Sequence, residues 1–261
     1  MEIALNNGCF RYTAAAVAGN IIQNFSARFF PSQITSIVGP SGCGKTTLLN
    51  LIAGLLTLDS GSIDWPFSER KVGFVFQQPT LLPWLTVREN ALFGAKLFAH
   101  DTPKVEEHCS ALLNMYGLAG YENAFPSSLS GGMQQRASMI RAVLSGTKVM
   151  LLDEPFSNTD FVMRRELQKE LSRLVADERL IAILVTHDIE EAVRIGDKVI
   201  VLSERPARVK AEIKIPIPRE DRIKGSATVM QEVALYVERV ERAFVSEAVP
   251  TKSPPSDKEV V

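Results

Sequence analysis

Two glycine-rich stretches hold the residues best suited to chemistry, "GPSGCGKTT" at 39–47 and "SLSGGMQQR" at 128–136. In the first, Gly39, Gly44, Lys45 and Thr46 have the spacing of a phosphate-binding loop, with Pro40, Ser41, Gly42 and Cys43 completing it and Thr47 leading into a helix. Glycines let backbone N–H groups turn inward on phosphate oxygens, and the helix N-terminus adds a favourable dipole. Lys45 is then the mobile cation for the terminal phosphates, and the Thr46 hydroxyl a magnesium ligand. About one chain in a hundred of this length would match by chance, so the setting has to decide.

A phosphate loop needs acids for its metal and its water. "VMLLDEP" supplies them where an apolar run ends: Asp153 to hold magnesium, directly or through water, and Glu154 to orient and deprotonate the attacking water. An Asp-Glu pair in that position is by itself usually a solvated strand end; downstream of a phosphate loop it reads as catalytic. His187, in "LVTHDIEEA", closes the next apolar run, and its place beside Asp153 and Glu154 suggests a contact with the transferring phosphate. Gln77, in "VGFVFQQPTLLPW", also ends an apolar run and can bridge metal and water, although Gln78 beside it shows how little a glutamine proves.

The elements needed to position these groups are legible around them. "QITSIVGP" is a strand breaking into glycines, and "KTTLLNLIAGLL" is a helix to bury against it. "KVMLLDEP", "LIAILVTHD" and "KVIVLSE" are continuous apolar runs, as in parallel strands covered on both faces, with a charge-rich crossover helix at 160–176. The sum is a mostly parallel α/β core. Between Val87 and Thr147 no strand is expected. Thr102 and Pro103 open one helix there, Gly117 stops it, and Met133, Ala137, Ile140 and Leu144 trace another, so residues 87–146 read as an inserted helical sub-domain. "RVKAEIKIPIP" suggests terminal strands and "SATVMQEVALYVERVERAF" an amphipathic last helix. Residues 1–245 make a single domain, and the Pro-, Ser- and charge-rich 246–261 is expected to be a disordered tail.

Composition excludes several classes. The 261 residues are 46% hydrophobic with a formal charge of -1, so no global basic field draws the chain to nucleic acid or anionic lipid. Cys9, Cys43 and Cys109 are scattered without metal-ligand spacing, pointing to free thiols in a reducing compartment. The start "MEIALNNGCF" has no signal-peptide pattern, and no apolar stretch approaches the roughly 20 residues that span a bilayer. A cytoplasmic protein that meets a membrane only through a partner is expected.

The phosphate loop, "FQQPTLLPWLTVREN", "LSGGMQQR", "LLDEPFSNTD" and "LVTHD" together resemble, in order and spacing, the ATP-binding cassette (ABC) ATPases, over about residues 2–243. "LSGGMQQR" is the most specific of these. "LLPWLTVRENALFG" and "ERPARVKAEIKIPIPR" are similar to the nitrate, sulfonate and taurine class of importer subunits. The resemblance implies a P-loop NTPase core with an antiparallel β region beside the mostly parallel sheet, and ATP and Mg2+ as ligands. It also explains the second glycine stretch. In that family two cassettes pair head to tail, and the signature of one, represented by Ser130, Gly131 and Gly132, closes over the nucleotide held by the other. An aromatic residue stacks on adenine, for which Tyr12 is the choice and Phe10 the rival.

Two departures stand out: Asn158 and Thr159 where Ala and Leu are usual, before Asp160 at a dimer contact, and Gln134 where a basic residue is common. The implied partners are a second cassette, most simply another copy, a transmembrane permease and, indirectly, an extracytoplasmic solute-binding protein, with the subunit peripheral on the cytoplasmic face of the inner membrane. No nucleic-acid partner is expected. A soluble cassette acting on ribosomes or DNA usually carries a second cassette, coiled-coil insertions or basic extensions, none of which is seen. A binding-only regulatory cassette sits poorly with intact Lys45, Asp153, Glu154 and His187. The apolar cluster Leu81, Leu82, Pro83, Trp84 and Leu85 is either a partner contact or part of the sub-domain core.

Overall fold

The computed structural model describes residues 2–12, 19–98, 102–157 and 159–246. The chain opens with strands β1 (Ile3–Phe10), β2 (Ile22–Phe29) and β3 (Gln33–Val38), followed by helix α1 (Lys45–Ala53) and strands β4 (Ser60–Asp64) and β5 (Gly73–Val75). Helices α2 (Val87–Leu97), α3 (Pro103–Met115) and α4 (Gly131–Leu144) come next, with no strand among the described residues between them. The rest alternates: β6 (Val149–Asp153), α5 (Phe161–Asp177), β7 (Ile181–Thr186), α6 (Ile189–Ile195), β8 (Lys198–Leu202), β9 (Val209–Lys214), α7 (Arg219–Lys224) and α8 (Ala227–Val245).

Six strands form the main sheet in the order β5-β6-β7-β3-β8-β9, parallel except for β9, which runs antiparallel to β8. A separate antiparallel sheet, β2-β1-β4, supplies the β region that the family resemblance implied. The "RVKAEIKIPIP" stretch makes one strand rather than several: Ile215 and Ile217 continue into the core beyond β9 without pairing as a further strand, because Pro216 and Pro218 interrupt the ladder.

Alternation along the apolar runs decides which layer each side chain joins. Met150, Leu152, Ala182 and Leu184 face the core shared with α2, α3, α4 and α5, whereas Val149, Leu151, Ile181, Ile183 and Val185 face α1 and the antiparallel sheet. Full burial of each Val, Leu, Ile or Met side chain among these stabilises the fold by about 1.5–3 kcal/mol. The last helix packs Val233 and Val240 against Val199, Val201 and Ile213 on the β8–β9 side.

Local signals hold where they were read. The Thr102 hydroxyl accepts from the Val105 N–H, Pro103 is the first residue of α3, and Gly117 turns left-handed after it with φ of +68°. Asp160, read as the start of the crossover helix, also proves to cap α5 through the Met163 N–H at 2.9 Å. Cys9, Cys43 and Cys109 are free thiols. Of the apolar cluster after Gln77, Leu81 is buried while Trp84 is 69% exposed, so Trp84 is not a core residue. The expected disorder of the C-terminal stretch concerns residues that, from 247 onward, lie outside the described ones, as does Asn158.

Candidate active site

The phosphate loop leaves the centre of the main sheet. β3 ends at Val38 between β7 and β8, and the chain turns through Gly42 (φ +72°) and Gly44 (φ +126°) before α1 begins at Lys45. Gly44 is required twice over: its φ suits only glycine, and a Cβ would lie 2.9 Å from Ile21 Cγ2. The Lys45 ammonium folds back over the loop, donating to the Gly39 carbonyl at 2.8 Å and the Pro40 carbonyl at 3.1 Å. Pro40 and Ser41 carry the outer turn, and Cys43 is buried, which pushes its thiol up although the nearby Lys45 charge opposes the rise.

The acids arrive from β6, with β7 lying between β6 and β3. Register places Asp153 opposite Val185, and Val38 opposite Thr186, so three strand ends share one edge. There the Thr46 hydroxyl donates to Asp153 Oδ2 at 2.8 Å. Burial raises the Asp153 carboxyl above its ordinary range; the Thr46 hydrogen bond and Lys45 counter that, and the Glu154 charge adds to it. Glu154 donates its N–H to the Val185 carbonyl at 3.0 Å, and its Oε2 lies 3.1 Å from His187 Nδ1. His187 is the more open of the two, its side chain 60% exposed against 24% for Glu154. Gln77 follows the end of β5, the strand beside β6, and is exposed at the same edge.

The rim carries the aromatic choice. Tyr12 is exposed, with its hydroxyl 3.2 Å from Thr47 Oγ1 and its ring edge-on to Phe10 at 4.9 Å. Phe10 is buried in the core beneath it. The signature lies at the N-terminus of α4, where the Ser130 hydroxyl accepts from the Met133 N–H. Ser130 and Gly131 are exposed; a Cβ on Gly131 would meet nothing within 4 Å, whereas one on Gly132 would meet Met163 Sδ at 2.6 Å. Neither Ser130 nor the two glycines line the phosphate-loop cavity, which measures about 290 Å³ and is bounded by Ser41, Lys45, Thr46, Thr47 and Glu154. A wider groove of about 1040 Å³ opens at the opposite ends of β3 and β8, but its inner charges pair with protein groups, Lys198 with Glu212 and Asp197 with Arg219.

The family model described as ABC transporter matches residues 22–157. This chain belongs to the ABC transporter family. The cassette is 40% identical over 206 residues to the aliphatic sulfonates import ATP-binding protein SsuB 2 of Burkholderia cenocepacia, covering 76% of this chain and 74% of that protein. It is 41% identical over 207 residues to the uncharacterized ABC transporter ATP-binding protein MJ0412 of Methanocaldococcus jannaschii, covering 76% of each. Among solved structures it superposes with a TM-score of 0.68 on the dimeric structure of MJ0796, a bacterial ABC transporter cassette, at 29% identity over 82% of this chain and 98% of that one. A dimeric post-hydrolysis state of the same protein, bound to ADP and Pi, matches at 28% identity, over the same shares of each chain and with the same TM-score. The cassette is an ATPase of this family, and its α/β P-loop fold is the one its sequence led us to expect.

Sequence reading missed two arginines of the cassette. Arg205, in the turn between β8 and β9, donates from Nε to the Gly42 carbonyl at 2.6 Å and lines the phosphate-loop cavity. Arg164, in the first turn of α5, joins the Asp188 carboxylate at 3.4 Å to the Thr159 carbonyl at 3.3 Å, tying the segment after Glu154 to the segment after His187. For Arg164 a signal existed, four residues after the cap Asp160; for Arg205, 163 residues from Gly42, none did. Two of the departing residues, Gln134 and Thr159, are described. Gln134 donates to the Pro126 carbonyl at 3.0 Å, and the Thr159 hydroxyl donates to the Phe156 carbonyl at 2.6 Å.

Proposed function

We propose that the cassette is the ATP-hydrolysing subunit of an importer and works as a head-to-tail pair of identical chains. The observation that carries the hydrolytic part of this reading is the convergence of Lys45, the Thr46–Asp153 pair and the Glu154–His187 pair on one sheet edge. The phosphates of ATP lie against the N–H groups of residues 39–46, and Lys45 exchanges the Gly39 and Pro40 carbonyls for phosphate oxygens. Thr46, Asp153 and Gln77 hold magnesium, since hydroxyl, carboxylate and amide oxygens are the hard donors it prefers and two of them already meet. When bound, the ion supplies neutralisation of phosphate charge.

Glu154 takes a proton from the attacking water as the water oxygen bonds to the γ-phosphorus, and the bond to the bridging oxygen breaks to release ADP. His187, held through Nδ1 by Glu154, turns its other nitrogen to the γ-phosphate. Tyr12 stacks on the adenine. Ser130, Gly131 and Gly132 of each copy close over the nucleotide held by the other.

The paired cassettes move a transmembrane permease served by an extracytoplasmic solute-binding protein, and the solute is a small compound such as nitrate, a sulfonate or taurine. This class is supported by the relative named for aliphatic sulfonate import. Among the described residues no helix is long and apolar enough to cross a membrane, and in this reading the cassette is peripheral on the cytoplasmic face of the inner membrane, held by the permease. Residues 1–245 act as one domain, with 87–146 as its helical sub-domain.

Glu154→Gln tests the mechanism. It should retain ATP binding, lose hydrolysis by roughly 100-fold or more, and dimerise in ATP on size-exclusion chromatography. Near-normal turnover would remove Glu154 as the base.

A further inference from the structure

The β8–β9 turn is built to hold Arg205 over the phosphate loop. β8 ends at Leu202, so close to the loop that a Cβ on Gly39 would lie 2.9 Å from Leu202 Cβ. The turn is then stitched on both sides. Ser203 donates its N–H to the Arg208 carbonyl at 3.0 Å, and its hydroxyl accepts from the Arg208 N–H at 2.9 Å. Ala207 donates to the Ile21 carbonyl at 2.8 Å, and Gln23 donates back to Ala207 at 3.0 Å. From this braced turn the Arg205 Nε reaches the Gly42 carbonyl at 2.6 Å. The two terminal nitrogens of the guanidinium have no acceptor among the described residues, and the side chain is exposed in the cavity that Ser41, Lys45, Thr46 and Thr47 also line.

An exposed carbonyl such as that of Gly42 is satisfied by water at little cost, so the single bond does not explain a guanidinium placed there. A planar fork with free N–H groups matches phosphate oxygens, whereas Lys45 offers only a point charge. We propose that Arg205 is a second cation of the nucleotide site, binding the phosphate chain through its terminal nitrogens while Nε holds the loop at Gly42. This rests on the phosphate-loop reading above and adds to it a ligand from the β8–β9 turn.

Calorimetric titration of the full chain with MgATP and with magnesium tripolyphosphate tests it, using Arg205→Gln, Arg205→Lys and, as a control, Lys45→Ala. Arg205→Gln should bind both ligands about tenfold more weakly, with the melting temperature of the nucleotide-free protein unchanged, and Arg205→Lys should recover part of the loss. Affinity of Arg205→Gln within twofold of the parent for both ligands overturns the proposal. So does a loss that is equal in the Gln and Lys variants and accompanied by a lower nucleotide-free melting temperature, since that marks a structural brace alone. If Lys45→Ala binds MgATP normally, the phosphate-loop reading itself fails, whatever Arg205 does.

Discussion

Glu154 has a left-handed backbone, φ +47°, a region that side-chain-bearing residues seldom adopt. Its N–H is pinned to Val185, so β7 enforces the turn that swings the carboxylate from the end of β6 toward His187. Such conformations cost on the order of 1–3 kcal/mol and persist where the surroundings over-determine them. Glu191, four residues beyond His187, is the other unusual acid. Burial pushes its carboxyl up to about 7, Asp188 adds to the rise, and Thr186, Arg164 and Gln168 oppose it. The unfolded chain releases that proton near the ordinary value of 4.5, so between about 4.5 and 7 the native state binds more protons than the unfolded state. The contribution of Glu191 is therefore complete below that window and is lost as pH rises through it. Glu191→Gln should flatten the fall in stability across the window, as measured by urea unfolding at a series of pH values. An unchanged slope would place the pH dependence elsewhere.

The loop between β5 and α2 owes its shape to groups on two helices. Asn90 of α2 is fully buried; its Oδ1 accepts from the Leu82 N–H at 2.7 Å and its Nδ2 lies 3.0 Å from the carbonyls of Leu82, Leu85 and Thr86. From α4, Arg141 donates to the Thr80 carbonyl at 2.6 Å, and Gln135 to the Phe76 carbonyl at 3.3 Å. Gln77 and Trp84 thus sit on one braced segment, so in the proposed reading occupancy of a metal site at Gln77 would have a short mechanical route to the surface. Trp84 is left exposed at its outer end, and in the proposed importer an apolar side chain there would suit a short amphipathic cytoplasmic helix of the permease. Trp84→Glu should leave the melting temperature, ATP affinity and basal hydrolysis of the isolated cassette unchanged while abolishing co-purification with the permease. Normal co-purification would move the coupling surface elsewhere on the helices α2–α4.

At the scale of the whole molecule, the phosphate loop and the signature are separate surfaces of one chain, since Ser130 and its glycines do not line the cavity beside Lys45. In the proposed twofold head-to-tail pair they would join into two composite sites. Lys45→Ala damages the site of its own loop, and Ser130→Arg the site it closes over in the other copy. A pair holding one copy of each variant then has one site with both changes and one with neither. Random mixing makes half the pairs of this kind, so the mixture should regain about a quarter of parental ATPase activity while each variant alone has almost none. A mixture as inactive as its components would count against two independently working composite sites.

Much of this protein is written locally. The phosphate loop is nine consecutive residues at 39–47, the caps Thr102 and Asp160 act on N–H groups three residues on, and uninterrupted apolar runs mark strands covered on both faces. Those signals survive into the structure because each depends on neighbours along the chain. Strand order does not. That Glu154 meets His187, and that Thr46 meets Asp153 across 107 residues, follows from β7 lying between β6 and β3, an arrangement set by how the crossover helices pack. Which of Phe10 and Tyr12 is buried was also beyond the sequence, since both fall on the same parity of a strand; β1 ends at Phe10, which stays in the core, and leaves Tyr12 at the rim. Arg205 is the limiting case. Its sequence neighbourhood carries no phosphate signal, and only the parallel pairing of β3 with β8, Val38 opposite Val201, brings the turn that bears it over Gly42.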